Sequence, residues 1–303
     1  MTGPAPLLAG VELGGTKCIA AVARGKDIVQ RAQWPTGDDA PATLGAIADW
    51  LRAAYAIEPF AALGIASFGP LWLDPASPHY GQLVNTPKPG WSGVDLIGGL
   101  AKGLPCPVVL DTDVAGAALA EGLWGASIGV QSHVYLTIGT GIGAGVVIDG
   151  KPYHGALHPE VGHIRVRRAA GSTFAGICPR HGDCLEGLAS GPAIAARAGV
   201  SAEQLPPDHP VWSEVAGDIG ELIATLILTL APQRIVIGGG VGQGQPGLLP
   251  LVRRATARAL AGYMPGYDEA ALEGLVVPPG LGASAGVYGA IALAKSFAPT
   301  AQS

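Results

Sequence analysis

Charge is scarce in this chain of 303 residues: Asp, Glu, Lys and Arg make up only 14%. What charge there is sums to -5, which leaves no general nucleic-acid footprint. Cysteine is limited to Cys18, Cys106, Cys178 and Cys184. The last two are clustered, and Cys18 and Cys106 sit in apolar surroundings expected to be core. That is not the pattern of a secreted disulfide framework. Long apolar runs are missing as well: the longest strongly apolar helix candidate, around Leu222–Leu230, is shorter than the ~18–20 residues a membrane span needs. The start, Met1-Thr2-Gly3-Pro4-Ala5-Pro6, has no charged n-region and leads into an expected strand. A cytoplasmic protein with no nucleic-acid or membrane partner is the expectation.

Apolar residues and glycine are abundant. Hydrophobic residues are 49% of the chain, with 47 Gly and 26 Pro. That apolar content supplies a sizeable core and argues against disorder, and the length suggests two domains or one large one. Val11–Val22 reads as strand, Gly-rich turn, strand, followed by a turn at Arg24-Gly25-Lys26-Asp27 and a strand at Ile28–Gln33. The same order recurs at Val134–Val147. An offset of 125 residues carries Gly14 onto Gly139, Gly15 onto Thr140, Val22 onto Val147 and Gly25-Lys26 onto Gly150-Lys151, which suggests a duplicated unit.

Around this repeat, Leu44, Ile47, Ala48, Leu51 and Tyr55 have helical spacing. Ala61–Ile65 reads as a buried strand. Asp74–Trp91 reads as a long loop of the kind that is often functional. Pro107–Leu110 is a strand leading to Asp111-Thr112-Asp113 and an Ala-rich helix through Glu121. Trp212–Leu230 is a buried helix, and Gln233–Ile237 a strand ending in Gly238-Gly239-Gly240. Strands alternating with helices, with glycine at strand ends, indicate an α/β architecture with ligands at the carboxyl ends of strands.

Three glycine turns are candidate phosphate or nucleotide cradles. In Gly14-Gly15-Thr16-Lys17, glycine lets backbone N–H groups approach a phosphate, Thr16 adds a hydroxyl and Lys17 adds charge. A single such turn also reads as a plain tight hairpin. Walker A is excluded, because the order is Gly-Thr-Lys and no helix follows. Gly139-Thr140-Gly141 is the second turn. The third, Gly238-Gly239-Gly240, has room for a flat ring against the backbone.

Cys178-Pro179-Arg180-His181-Gly182-Asp183-Cys184, with His163 upstream, offers two thiolates and two imidazoles. His163, Cys178, His181 and Cys184 are thus candidate ligands of a tetrahedral zinc, structural rather than catalytic because four protein ligands leave no open position. Glu160 and Glu186 flank this cluster, either as plain surface charge or as carboxylates aimed by the metal. Asp113 opens a helix at a strand's carboxyl end, where it reads either as a helix cap or as a functional carboxylate.

Gly10-Val11-Glu12-Leu13-Gly14-Gly15-Thr16-Lys17 resembles the first phosphate motif of the ROK sugar kinases, within the actin/hexokinase/Hsp70 superfamily. Leu136–Asp149 resembles the second phosphate motif and Ile235–Gly242 the adenosine motif. Gly155–Val166 with Cys178–Gly187 resembles the ROK zinc signature. Thr86-Pro87-Lys88-Pro89-Gly90-Trp91 and Cys-Pro-x-His-Gly-Asp-Cys look most like the bacterial ROK fructokinases.

The resemblance implies a two-lobed, duplicated ribonuclease H-like (actin-like ATPase) α/β fold with a central cleft. Its lobes are expected at residues 1–112 plus 284–303 and at 113–283. It implies phosphorylation of D-fructose with ATP as co-substrate. Asp113 is the implied general base, with Asp111 the runner-up. Gly14, Gly15, Thr16, Lys17, Gly139, Thr140 and Gly141 are implied at the phosphates, and Gly239 and Gly240 at the adenosine. Glu12 is implied in the outer shell of Mg²⁺, and Glu160, His163 and Glu186 on sugar hydroxyls.

A homodimer is implied as well. Mannose, glucose or an N-acetylhexosamine as the acceptor hexose, and a non-catalytic sugar sensor, are the alternatives. A ROK-type repressor would carry a DNA-binding segment ahead of the first phosphate motif, which here begins at about residue 10. The sequence departs from the family at Ala115-Gly116, where an Asn usually follows the base by two residues.

Overall fold

The strands sort by burial as their sequences dictate. β1 (Leu7–Leu13) is buried at every position except the half-buried Glu12, so it belongs inside a sheet. β2 (Lys17–Arg24) is buried through its middle, whereas β3 (Asp27–Pro35) alternates exposed and half-buried residues, the pattern of an edge strand with one wet face. In the computed structural model, which describes residues 5–297, these strands join β4 (Leu63–Ser67) and β5 (Val108–Thr112) in the order β3-β2-β1-β4-β5. β2 is antiparallel to both neighbours, and β1, β4 and β5 run parallel.

Helix α1 (Ala40–Ile57) connects β3 to β4. It starts where Asp39 accepts the Ala42 N–H at 3.0 Å, and it buries Leu44, Ile47, Leu51 and Ala54 along one stripe. After β4 the chain runs through a long loop to α2 (Leu96–Leu100), and β5 leads directly into α3 (Asp113–Trp124). The expected loop is tied down at both ends. The Trp91 indole N–H donates to Gly37 O at 3.0 Å, and the buried His158 accepts the Leu71 N–H at 3.1 Å.

The second set of elements begins with β6 (His133–Ile138), β7 (Ile142–Ile148) and the two-residue β8 (Lys151–Pro152). The short helices α4 (Leu185–Ala189) and α5 (Gly191–Ala198) precede the long α6 (Val211–Leu230). β9 (Arg234–Gly238), α7 (Gly239–Gly244), α8 (Leu248–Leu260), α9 (Glu269–Leu275), β10 (Val276–Val277) and α10 (Ala285–Phe297) complete the described chain. The sequence reading expects a helix after the Gly238–Gly242 turn but bounds no element between Gly242 and Ser284, a stretch that α8, α9 and β10 fill. No described helix is long and apolar enough to cross a membrane.

β6 pairs antiparallel with β7 and parallel with β9, which pairs parallel with β10. β6, β9 and β10 thus repeat the arrangement of β1, β4 and β5, and the expected duplication is present. Its offset is not uniform. Leu13 pairs with Cys18 across the first turn, but Ile138 pairs with Ile142 across the second. The second turn is one residue shorter, so the offset is 125 on the first strand of each hairpin and 124 on the second. Val22 therefore corresponds to Val146, and Gly25-Lys26 to Asp149-Gly150.

The chain divides into two compact units, one of Met1–Trp124, Lys151–Pro159 and Ser284–Ser303, the other of Gly125–Gly150 and Glu160–Ala283. The first unit takes in α3 and residues 151–159, which the sequence reading assigns to the second. Residues 1–4 and 298–303 of the expected first lobe lie outside the described residues. Within the first unit, α10 lies flat on β1 and β4 because glycine faces it. A Cβ at Gly64 would stand 1.9 Å from Ala290 O, and one at Gly10 would stand 2.8 Å from Ile291 N. The second unit is held by a core of α6 against the sheet, with Trp212, Ile219, Ile223 and Ile227 at most 2% exposed.

Candidate functional site

In the first unit, the turn Gly14-Gly15-Thr16 closes with the Gly14 N–H donating to Lys17 O at 3.0 Å. Gly15, Thr16 and Lys17 are exposed. Thr36 fixes the turn from behind. Its hydroxyl donates to Gly14 O at 2.6 Å and its N–H donates to Thr16 O at 3.0 Å. The sequence reading misses Thr36, because nothing local marks a residue beyond β3 as the brace of a turn some twenty positions earlier.

Three carboxylates stand at the carboxyl ends of the neighbouring strands. Glu12, near the end of β1, lies against the first turn of α10: a Cβ at Gly286 would be 2.1 Å from its Oε1. Burial first, and then the negative charge of Asp113, push Glu12 up to about 7, with Lys17 and Arg31 pulling the other way. Asp113 opens α3 half-buried, and its Oδ1 accepts the Val114 N–H at 2.9 Å. The helix cap is Thr112, whose hydroxyl accepts the Ala115 N–H at 3.1 Å. Asp113 is therefore not the cap. Asp111 is buried, and its Oδ1 accepts the Thr112 N–H at 2.7 Å and meets His154 Nε2 at 3.0 Å.

The second unit holds the other two glycine turns. The Gly139 N–H donates to Gly141 O at 2.9 Å, and the Gly191 N–H donates to Gly139 O at 2.7 Å. Gly239 has φ +84°, and a Cβ there would stand 2.4 Å from Ile138 O. This close approach brings the turns together: a Cβ at Gly139 would be 3.7 Å from Gly240 N. Gly240 faces open space and Thr140 is exposed.

His163, Cys178, His181 and Cys184 converge, with their ligand atoms all within 4.8 Å of one another. Cys178 Sγ is 3.9 Å from His163 Nδ1 and 3.7 Å from His181 Nδ1, and Cys184 Sγ is 3.5 Å from His163 Nδ1. A tetrahedron with Zn–S of about 2.3 Å and Zn–N of about 2.0 Å has S···N edges of roughly 3.5 Å. Donor set and spacing both fit zinc. Burial pushes the Cys184 thiol upward when no cation offsets it.

The loop is braced by Arg165 and Arg168, 3.5 and 3.7 Å from Asp183. Behind it, Arg197 stacks 4.9 Å over Phe174 while pairing with Asp218 at 2.6 Å. Glu160 precedes a single 3₁₀ turn, Val161–His163, and the His163 N–H donates to its carbonyl at 3.1 Å. The repeat of three residues in such a turn keeps Glu160 and His163 on one side. Glu186 Oε2 accepts the Ile142 N–H at 3.0 Å. One oxygen of this carboxylate thus tethers the second glycine turn to the Cys/His loop, a contact the sequence reading does not anticipate.

Comparison with known proteins places these features in a family. Residues 8–297 match the ROK family. A fructokinase from Zymomonas mobilis is 45% identical over 293 residues, covering 94% of this chain and 95% of that protein. A fructokinase from Pediococcus pentosaceus is 38% identical, covering 96% of this chain and 98% of that protein. Among solved structures, a ROK family glucokinase from Streptomyces griseus, in complex with glucose and AMPPNP, superposes with a TM-score of 0.75. It is 25% identical over 96% of this chain and 99% of its own. The fold is the actin-like ATPase fold of these neighbours. With paired glycine hairpins, a Cys₂His₂ cluster and near-complete coverage of its relatives, the chain belongs to the ROK family.

Proposed function

We propose that this protein transfers the terminal phosphoryl group of ATP to the 6-hydroxyl of D-fructose. Family membership and the fructokinase relatives make it an ATP-dependent hexose kinase. The observation that carries the choice of fructose is the identity to fructokinases over nearly the full length of both chains.

Asp113 takes the proton of the attacking hydroxyl. It is half-buried where β5 hands over to α3, whereas its rival Asp111 is buried and bonded to His154. Phosphoryl transfer asks for positioning and charge neutralisation more than covalent help. The exposed backbone of Gly14-Gly15-Thr16 and of Gly139-Thr140-Gly141 receives the phosphates, with Lys17 adding charge. Gly239 and Gly240 flank the adenosine, where the absence of side chains leaves a flat ring room. Glu12 would hold Mg²⁺ through water, and the neighbouring charge of Asp113 makes a cation welcome there. That ion would neutralise phosphate charge when bound.

Glu160, His163 and Glu186 contact sugar hydroxyls. Glu186 does so with the oxygen not bonded to Ile142. His163, Cys178, His181 and Cys184 would hold Zn²⁺, which would stiffen the loop carrying these residues. The reading extends to a cytoplasmic homodimer, which sedimentation equilibrium would check for the assembly.

The deciding experiment is a panel of fructose, mannose, glucose and N-acetylhexosamines with coupled ADP detection. Fructose should give the highest kcat/KM. A higher value for another hexose replaces fructose with that sugar, and sugar-dependent ATP consumption of any kind excludes the sensor.

A further inference from the structure

We propose that His154 contacts the acceptor sugar, hydrogen-bonding one of its hydroxyls, and that Asp111 is the residue that positions it. The proposal rests on the sugar-kinase reading above and adds a pair of residues that none of the recognised motifs contains.

The imidazole is gripped from one side. Its Nε2 is 3.0 Å from Asp111 Oδ1, and that carboxylate is 6% exposed and held in turn by the Thr112 N–H at 2.7 Å. A carboxylate at Nε2 fixes a proton there and leaves Nδ1 facing away from it. The His154 side chain is still 33% exposed, so the ring keeps an open side. A buried carboxylate orienting a half-open imidazole is a costly arrangement for a mere surface tie, because Asp111 gives up hydration to make it.

Position adds to this. Asp111 is the next-to-last residue of β5, two before Asp113, so the pair stands at the same strand end as the proposed base. The hydrogen bond it donates to Asp111 holds His154 above its ordinary pKa. Tyr80, from the loop before α2, is raised by burial and by the charge of Asp111, so its phenol stays protonated. Asp111 is the charged group facing the ring. His158 of the same segment is engaged with the Leu71 N–H.

A carboxylate held against the ring disfavours an anionic ligand such as phosphate and suits a neutral polyol. A hydroxyl can donate to Nδ1 of the neutral ring or accept from the imidazolium, and the charged donor holds it more tightly.

The test compares His154→Ala, His154→Gln and Asp111→Asn by steady-state kinetics and melting temperature. His154→Ala should raise the sugar KM roughly 10-fold, the scale of one lost hydrogen bond to a charged group, with the ATP KM unmoved. His154→Gln should recover part of the loss, since an amide can both donate to Asp111 and reach a hydroxyl. Asp111→Asn should move the pH limb of the sugar KM to lower pH, because the carboxylate that favours imidazolium is gone.

An unchanged sugar KM in His154→Ala overturns the proposal. So does a joint loss of melting temperature and of both KM values, which would mark a simple brace. Wild-type turnover is measured first. A preferred hexose other than fructose removes the fructokinase reading, and the His154 variants are then judged on that sugar. If no hexose is turned over, calorimetric binding of fructose decides, and absent or unaltered binding overturns the proposal.

Discussion

The two hairpins, β1–β2 and β6–β7, are copies of one idea held in place by different physics. The first carries Gly14-Gly15-Thr16 and is braced by the Thr36 hydroxyl and by α10, which lies almost backbone to backbone on β1 and β4. The second carries Gly139-Thr140-Gly141 and is braced by Glu186, which reaches it from the first turn of α4, directly after the Cys/His cluster. One turn depends on close packing of small residues and the other on a carboxylate anchored beside a candidate metal. A duplicated unit can thus keep its backbone while each copy takes a different support. The copies should therefore fail in different ways.

The largest separation should come from Cys184→Ser. A closed zinc site contributes on the order of 10 kcal/mol of apparent binding energy to local order. Its loss should remove close to one equivalent of metal by elemental analysis and lower hydrogen-exchange protection at 176–187 and 139–142. The turn at 14–16 should keep its protection. Metal-free wild-type protein, freshly purified without chelator, would sink the zinc assignment. Next in size is Asp113→Asn, expected to lower kcat by roughly 10²–10⁴. Its effect belongs to chemistry and not to either brace, so ATP affinity should stay near wild type by calorimetry; near-normal turnover removes Asp113 as the base.

The brace of the first hairpin is tested by Gly64→Ala. The added Cβ would fall 1.9 Å from a backbone carbonyl, which cannot swing aside as a side chain can. Overpacking of this kind costs about 1–3 kcal/mol. Urea unfolding should show the loss, with exchange rising first at α10 and the turn at 14–16. If protection is instead lost around Glu186, the idea of separate supports is wrong.

Features that lie close together in sequence were legible before any coordinates. The hairpins show through glycine between apolar runs. The cluster shows because Cys178, His181 and Cys184 are spaced three apart. Asp113 stands out because a strand hands directly to a helix there. Contacts made across long separations were not legible. His154 lies 43 residues from Asp111, and Ile142 lies 44 from Glu186. Neither partner carries a local mark, since each pairing exists only once the strands are stacked. The register slip between the hairpins was hidden for a related reason: glycine at 14 and at 139 aligns regardless of what the following strand does. The cap at α3 was misleading because Thr112 and Asp113 are both good capping residues, and only geometry shows that the hydroxyl does it.

The smallest expected effect sharpens the comparison most, because Glu186 is asked to do two things. One oxygen holds the second turn, and the proposed function gives the other to a sugar hydroxyl. Glu186→Gln keeps an acceptor for the Ile142 N–H and removes the charge. Glu186→Ala removes both and leaves that N–H unpaired, at about 1–3 kcal/mol if no water replaces the oxygen. The sugar KM should therefore rise in both variants. The ATP KM should rise only in Glu186→Ala, by roughly 5- to 10-fold if about 1 kcal/mol of turn rigidity is lost. Thr36→Val is the matched change in the first hairpin, removing the hydroxyl from Gly14 O while leaving the Thr16 contact to the backbone. It should also raise the ATP KM, but with no change in the sugar KM. Equal ATP KM values in the two Glu186 variants would mean that the tether is incidental, and the second turn would then be held by the Gly191 N–H and the shorter register of its own hairpin.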